Sequence, residues 1–369
     1  MPGIAPLTMP KLGLSMTEGE VAAWHKEEGE IITAGEEIAD IETPKITTAL
    51  ESPAAGTLRR RLAGPGESIP VGGLIGVLAD PAISEPEIES FIADWQARFA
   101  AVKAEETVPA APEPERITTP FGPIQVLEAG PPDAPALVLM HGFGGDYLSF
   151  LLLQPLLAER FRTLALDLPG HGGSTKQLPG PDPAGLALAV GAAMTARGMH
   201  VAHLLGHSLG GAVALALAEQ EPVRALSLTL ISPAGLGPEI NTDFISRFLA
   251  ARRPRELSAV LGMLFAGEKI PITRDMIEGV LRTRRLDGAE AALKAIAAAN
   301  FPEGRQARSF RHVLTNPDRP IQIVWGRQDR IIPAAHAERL PSHVRVTIFE
   351  ETGHVAHMEK AEEVARLIR

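Results

Sequence analysis

The stretch Val201-Ala-His-Leu-Leu-Gly-His-Ser-Leu-Gly210 decides how the chain is read. Its first half is a short apolar run suited to a buried strand, and Ala212–Gln220 just after it is rich in helix formers. Between them stands Gly-x-Ser-x-Gly, with Gly206, Ser208 and Gly210 at the fixed positions. A sharp strand-to-helix turn lifts such a serine into a strained, exposed position. Small flanking residues let the backbones pass, and the helix N-terminus offers N–H groups to an anion. Ser208 is therefore the candidate nucleophile.

Working outward, apolar runs suited to buried strands recur at Ala136–Met140, Arg162–Asp167, Ala225–Ile231, Ile321–Trp325 and Val344–Phe349, separated by helical stretches. This alternation predicts a mostly parallel α/β sheet. Residues 240–315 break it with about four helical stretches and no clear strand, which reads as a helical cap over one sheet end. A serine hydroxyl needs a base, and the base an orienting acid. Asp329 closes the strand-end segment Trp325-Gly-Arg-Gln-Asp329, and Gly353-His354 follows the last strand, so nucleophile, acid and base come in the expected chain order. His357 competes with His354 for the base, and Arg330 reads as a solvated charge. His141-Gly-Phe-Gly-Gly145 follows a strand and can aim a backbone N–H at a developing oxyanion; the donors would be Phe143 and Leu209. Asp167-Leu-Pro-Gly-His-Gly-Gly-Ser174 reads as structural, with His171 organising its loop.

The 369 residues leave room for two or three domains. With 45% apolar and 22% charged residues the chain is an ordinary globular one, and no apolar run is long enough to span a membrane. The absence of cysteine excludes disulfides, thiolate metal sites and a cysteine nucleophile. No metal-binding constellation and no phosphate loop of Walker or dinucleotide type is read. The first residues carry no basic n-region and no long apolar h-region, so a cytoplasmic protein is expected. The net charge of −10 is uneven: residues 1–80 hold 6 Lys/Arg against 12 Asp/Glu, residues 81–116 hold 3 against 8, and the rest 26 against 25. No basic stripe for nucleic acid or an anionic membrane emerges. Arg252, Arg253 and Arg255 could meet phosphates but read first as a solvated run.

Glu105–Glu115 is Ala/Pro/Glu-rich, an extended spacer. Residues 1–80 show short apolar runs between glycine turns, which predicts a small all-β domain. Ser84-Glu-Pro-Glu87 is a capping box, and Ile88, Phe91, Ile92, Trp95, Phe99 and Val102 follow as one apolar helix stripe. This stripe packs on a neighbouring domain of the chain or docks another subunit. The expected organisation is thus 1–80, a helix and linker over 81–116, and 117–369 with its cap.

Residues 117–369 resemble the α/β-hydrolase family through His141-Gly-Phe-Gly-Gly145, Asp167–Ser174, Gly206-His-Ser-Leu-Gly210, Asp329 and Gly353-His354. The resemblance implies an eight-stranded sheet with the cap between strands six and seven, and leaves the substrate open. Residues 1–80 resemble a lipoyl domain, from Met9-Pro-Lys-Leu-Gly13 through Gly29, Gly35, Glu42-Thr43, Glu51-Ser-Pro53, Gly56 and Val71-Gly-Gly73. Lys45 stands where that family carries its amide-linked lipoyl group, on a hairpin tip. Pro44 departs from the usual aspartate, while Pro44 and Ile46 disfavour a biotin carrier, which places methionines there.

Together the two resemble the acyltransferase components of acetoin dehydrogenase complexes. That likeness implies acetyl transfer from a lipoyl arm to coenzyme A, with a thiamine-diphosphate-dependent acetoin-cleaving component and dihydrolipoamide dehydrogenase as partners. The His-x-x-x-Asp-Gly core of other 2-oxo acid dehydrogenase acyltransferases is absent: Thr283 stands where the histidine before Asp287-Gly288 would be. Two alternatives remain: a plain hydrolase of an ester, thioester or carbon–carbon bond with a tethered carrier, and a non-catalytic carrier scaffold.

Overall fold

A computed structural model describes residues 3–10, 18–42, 47–105, 113–267 and 272–368. The chain divides into two compact units, Met1–Ala111 and Pro112–Arg369.

The first unit pairs strands β1 (Ile4–Thr8), β2 (Glu18–Trp24), β3 (Ile31–Ile32), β4 (Glu37–Glu42), β5 (Thr47–Glu51), β6 (Gly56–Arg61), β7 (Glu67–Pro70) and β8 (Leu74–Ala79). They form two four-stranded antiparallel sheets of order β1-β8-β6-β3 and β5-β4-β2-β7. Leu7, Leu58 and Ile75 from one and Val21, Ile38 and Ile41 from the other share a single buried core. β8 is buried along its whole length, because its second face lies under helix α1 (Glu85–Glu105). Ile88, Phe91 and Ile92 of α1 cluster with Ile4, Leu74, Val77 and Ala79. From Ile88 to Trp95 the apolar stripe thus packs inside its own unit. The Ser84 N–H donates to Glu87 Oε2 at 3.0 Å, one half of the expected box, while the Glu87 N–H goes to the Ser84 carbonyl. Arg59 and Arg60 pair with Glu85 at the same end.

The second unit carries β9 (Glu115–Thr119), β10 (Gly122–Ala129), β11 (Ala136–Met140), β12 (Arg162–Leu166), β13 (Ala202–His207), β14 (Ala225–Ile231), β15 (Ile321–Gly326) and β16 (Arg345–Phe349). Their order is β16-β15-β14-β13-β11-β12-β10-β9. β9 and β10 pair antiparallel at one edge; β11 to β16 run parallel. β9 opens at Glu115, inside the segment read as linker.

Alternate strand residues face opposite layers. Val138 and Met140 join the core that includes residues of helices α3 (Pro183–Ala196) and α4 (Leu209–Gln220). Leu137 and Leu139 pack against Phe150, Leu153 and Leu157, the last on helix α2 (Gln154–Ala158). Between β14 and β15, the sixth and seventh strands, come α5 (Thr242–Ala250), α6 (Pro254–Leu261), α7 (Arg274–Arg284) and α8 (Ala289–Asn300). The cap therefore falls where the family resemblance places it. No described helix is long and apolar enough to cross a membrane.

Candidate active site

The chain leaves β11 toward β12 on one side and toward β13 on the other. Such a switch point opens a crevice at the carboxyl ends of the strands. The loop His141–Gly145 follows β11 there, and Ser208 follows β13.

Ser208 sits between β13 and α4 with φ 53° and ψ −117°, a conformation that costs a non-glycine residue on the order of 1–3 kcal/mol. The surroundings enforce it. A Cβ on Gly206 would lie 2.2 Å from the Gly210 carbonyl oxygen, and one on Gly210 would lie 2.1 Å from that of Met140. Neither position admits a side chain. The Ser208 N–H donates to the Ile231 carbonyl at 3.0 Å, and its own carbonyl accepts from Ala234 at 2.9 Å.

Asp329 and His354 meet at 2.8 Å, His354 Nδ1 against Asp329 Oδ2, with both side chains almost wholly buried. The same oxygen accepts the Trp325 indole N–H at 2.9 Å, and Oδ1 accepts the Ile331 and Ile332 N–H groups at 2.8 and 3.0 Å. Burial alone pushes the carboxyl up, but His354 and the Ile332 and Ile331 N–H groups outweigh it and hold Asp329 below the usual carboxylate range. An ionised Asp329 fixes the proton on His354 Nδ1 and leaves Nε2 free to accept.

His207, the variable position of the serine motif, brings the pieces together. Its Nε2 is 3.0 Å from the His354 carbonyl oxygen, and its ring centroid is 4.8 Å from that of His354. Burial holds the His207 imidazole well below its ordinary pKa, so it is neutral and Nε2–H is the donor. A Cβ on Gly142 would stand 2.9 Å from His207 Nδ1 and 3.1 Å from Ser208 Cβ, so the glycine loop lies directly against the nucleophile. His357 is 4.5 Å from His207, and burial pushes its pKa down to about 3; the pairing with Asp329 belongs to His354.

The Leu209 N–H is the first of α4, an end where N–H groups lack intrahelical partners. Among the described residues neither it nor the Phe143 N–H has a hydrogen-bond acceptor. His141 is neutral, its pKa lowered to about 4 by burial; it accepts from the Leu168 N–H at 3.0 Å and bonds the Gly142 carbonyl at 2.7 Å. Asp167 accepts the Tyr147 and Gly173 N–H groups at 2.8 and 2.7 Å, tying the short helical turn after the glycine loop to the 167–174 loop. Burial, with Asp146 nearby, raises Asp167 to about 7. His171 lies buried between them, its centroid 4.9 Å from His141 and 6.1 Å from Phe143.

Two arginine readings change. Arg330 is exposed, yet its guanidinium donates to the carbonyls of Gly262 and Phe265 at 2.6 and 2.8 Å. Arg252 is spent on the carbonyls of Leu249 and Ala251 and on Glu290. Trp325, His207 and Gly142 were not singled out from the sequence, although all three stand inside motifs quoted for other residues.

Lys45 lies outside the described residues. The β4–β5 ladder ends with Glu42 opposite Thr47, and Glu42, Thr47 and Thr48 are exposed.

Residues 135–361 match the family model described as alpha/beta hydrolase fold, and residues 5–78 match one described as biotin-requiring enzyme. The chain is 41% identical over 369 residues to the dihydrolipoyllysine-residue acetyltransferase component of the acetoin cleaving system of Cupriavidus necator, covering 100% of this chain and 97% of that protein. To the same component of Pseudomonas putida it is 42% identical over 364 residues, covering 99% and 97%. Among solved structures, a membrane phospholipase A superposes with a TM-score of 0.59 at 27% identity, covering 74% of this chain and 89% of that one. The chain belongs to the family of these acetyltransferase components, a lipoyl-type domain joined to an α/β-hydrolase-fold domain.

Proposed function

We propose that the chain transfers an acetyl group from a lipoyl arm on Lys45 to coenzyme A, in a complex that cleaves acetoin. The observation that carries the chemistry is the buried His354–Asp329 pair at the sheet end that also holds the strained Ser208. The bound lipoyl group would supply a thioester at the end of a long, tethered arm, delivered at high effective concentration. Ser208 Oγ attacks the thioester carbonyl and passes its proton to His354 Nε2. Phe143 and Leu209 N–H groups hold the oxyanion while Asp329 stabilises the imidazolium. His354 then returns the proton to the departing sulfur. In the second half His354 takes the proton of the coenzyme A thiol, the sulfur attacks the acyl-serine, and the proton returns to Ser208 Oγ. A thiamine-diphosphate-dependent component would load the arm, and dihydrolipoamide dehydrogenase would reoxidise it. The fold and site equally suit hydrolysis of an ester or thioester.

Lipoylated, acetyl-charged protein offered coenzyme A tests the reading, with Ser208→Ala and Lys45→Ala beside wild type. Acetyl-coenzyme A formed by wild type and lost in both variants is the expected result. Free acetate, released without regard to coenzyme A, would make the protein a tethered hydrolase.

A further inference from the structure

An acyl-serine has two fates: a thiol takes the acyl group, or water does. Water is present in vast excess, so transfer requires that it be kept from the ester while the thiol is held there. The site carries a structure suited to that. Phe143 lies in the glycine loop and is only 9% exposed. Two cap rings stand edge-to-face on it: Phe248 of α5 at 5.6 Å and Phe301, the residue after α8, at 6.2 Å. Phe248 is itself stacked on Phe244 at 6.1 Å. The loop backbone runs under Phe248 so closely that a Cβ on Gly144 would lie 2.3 Å from its Cζ.

Phe301 has a second neighbour. With Ala212, Ala234 and Phe310 it lines a cavity of about 130 Å³ whose other walls include Asp182, Gln306 and Arg308. A cavity of that size with polar side chains in its wall has room for water. Ala234 donates its N–H to the Ser208 carbonyl, so this cavity reaches to within one residue of the nucleophile's backbone. Phe301 thus stands edge-to-face on Phe143 and lines the cavity at once.

We infer that Phe301 is a specificity-determining residue: it separates a water-holding cavity from the oxyanion loop and thereby directs the acyl-serine to a thiol. This rests on the acyl-serine route proposed above. When coenzyme A resolves the ester, the acyl C–O bond to Ser208 breaks, a C–S bond forms, and the thiol proton returns through His354 to Ser208 Oγ. When water does, the same C–O bond breaks, a C–O bond to water forms, and acetate leaves with a proton. Phe301 touches neither reacting atom; it sets which nucleophile arrives.

The test uses the full-length protein with p-nitrophenyl acetate as acyl donor and coenzyme A as acceptor. The p-nitrophenol burst reads acylation, and acetyl-coenzyme A against acetate reads the partition. In Phe301→Ala the acetate share should rise about tenfold relative to acetyl-coenzyme A, with the burst rate held within about twofold. Phe301→Leu, which refills most of the volume, should partition as wild type does. Phe301→Val makes the smaller opening should the alanine variant fail to fold, and its partition should fall between. A folded alanine or valine variant with the wild-type partition overturns the inference and leaves the transferase reading standing. Wild type that gives only acetate overturns both.

Discussion

Ser208 and the strand ends that flank Lys45, the two places proposed to carry chemistry, are built in opposite ways. Around Ser208 the neighbours are packed to contact: no Cβ fits at Gly206 or Gly210, the base is buried, and its acid accepts four hydrogen bonds. Around Lys45 the flanking strand ends Glu42 and Thr47 are exposed, and the core of that unit lies elsewhere. The contrast follows from what each task needs. Aligning a nucleophile, a base and two N–H donors to fractions of an ångström demands neighbours that cannot move. Swinging an arm between active sites demands the reverse, a residue with nothing packed on it.

The sharpest way to break this comparison is Lys45→Arg. It should abolish arm-dependent transfer completely while leaving the thermal midpoint and the p-nitrophenyl acetate burst as in wild type. A lowered midpoint would mean that Lys45 is part of the packing after all. Next in size is Asp329→Asn, which keeps the shape of the side chain but removes the charge that fixes the proton on His354 Nδ1. Turnover should fall about 10⁴-fold with little change in KM. A loss of tenfold or less would show that the acid merely fills space.

Much of the serine side of this contrast was legible in the sequence, because its determinants are local. Gly206 and Gly210 announce the turn by their lack of side chains, and Asp329 and His354 follow strand ends marked by apolar runs. The helix stripe from Ile88 to Trp95 was equally plain, but a stripe says that a face is covered and not by what. Its cover proved to be β8 and β1 of the same unit. The bonds from Trp325 to Asp329 and from His207 to the His354 carbonyl were illegible for another reason. The first joins residues only four apart, yet Trp325 reads as one more apolar strand residue; the second spans 147 positions. The contacts of Phe143 with Phe248 and Phe301 arise only when the cap closes on the core.

The buried site has a cost that pH exposes. The His141 pKa falls from 6.5 to about 4 and that of His357 to about 3, whereas Asp167 rises from 3.8 to about 7. The unfolded chain binds protons to the two imidazoles below pH 6.5 and the folded one does not, so their contribution is lost as pH falls from about 6.5 toward 4. Asp167 has the opposite sign: the folded state holds its proton up to about pH 7, so its contribution declines as pH rises from about 4 to 7. The two imidazole shifts together exceed the single carboxyl shift, and His207 and His171 push the same way as the imidazoles. The denaturation midpoint of the second unit should therefore fall on going from pH 7 to pH 4.5. In His357→Leu that fall should be shallower; an unchanged slope would remove His357 from this account.

The smallest expected effects lie in the first unit, where they separate two ways of holding α1. Phe91 is 7% exposed in the cluster beneath the helix, and Phe91→Ala should cost about 3 kcal/mol, by lost transfer energy plus the cavity left behind. Glu85, which pairs with both Arg59 and Arg60, is half exposed, and water screens such pairs. Glu85→Gln should leave the midpoint almost where it was. If the two variants destabilised the unit equally, the helix would be held by charge at its N-terminus. The apolar stripe would then be a face that α1 could also offer to another protein.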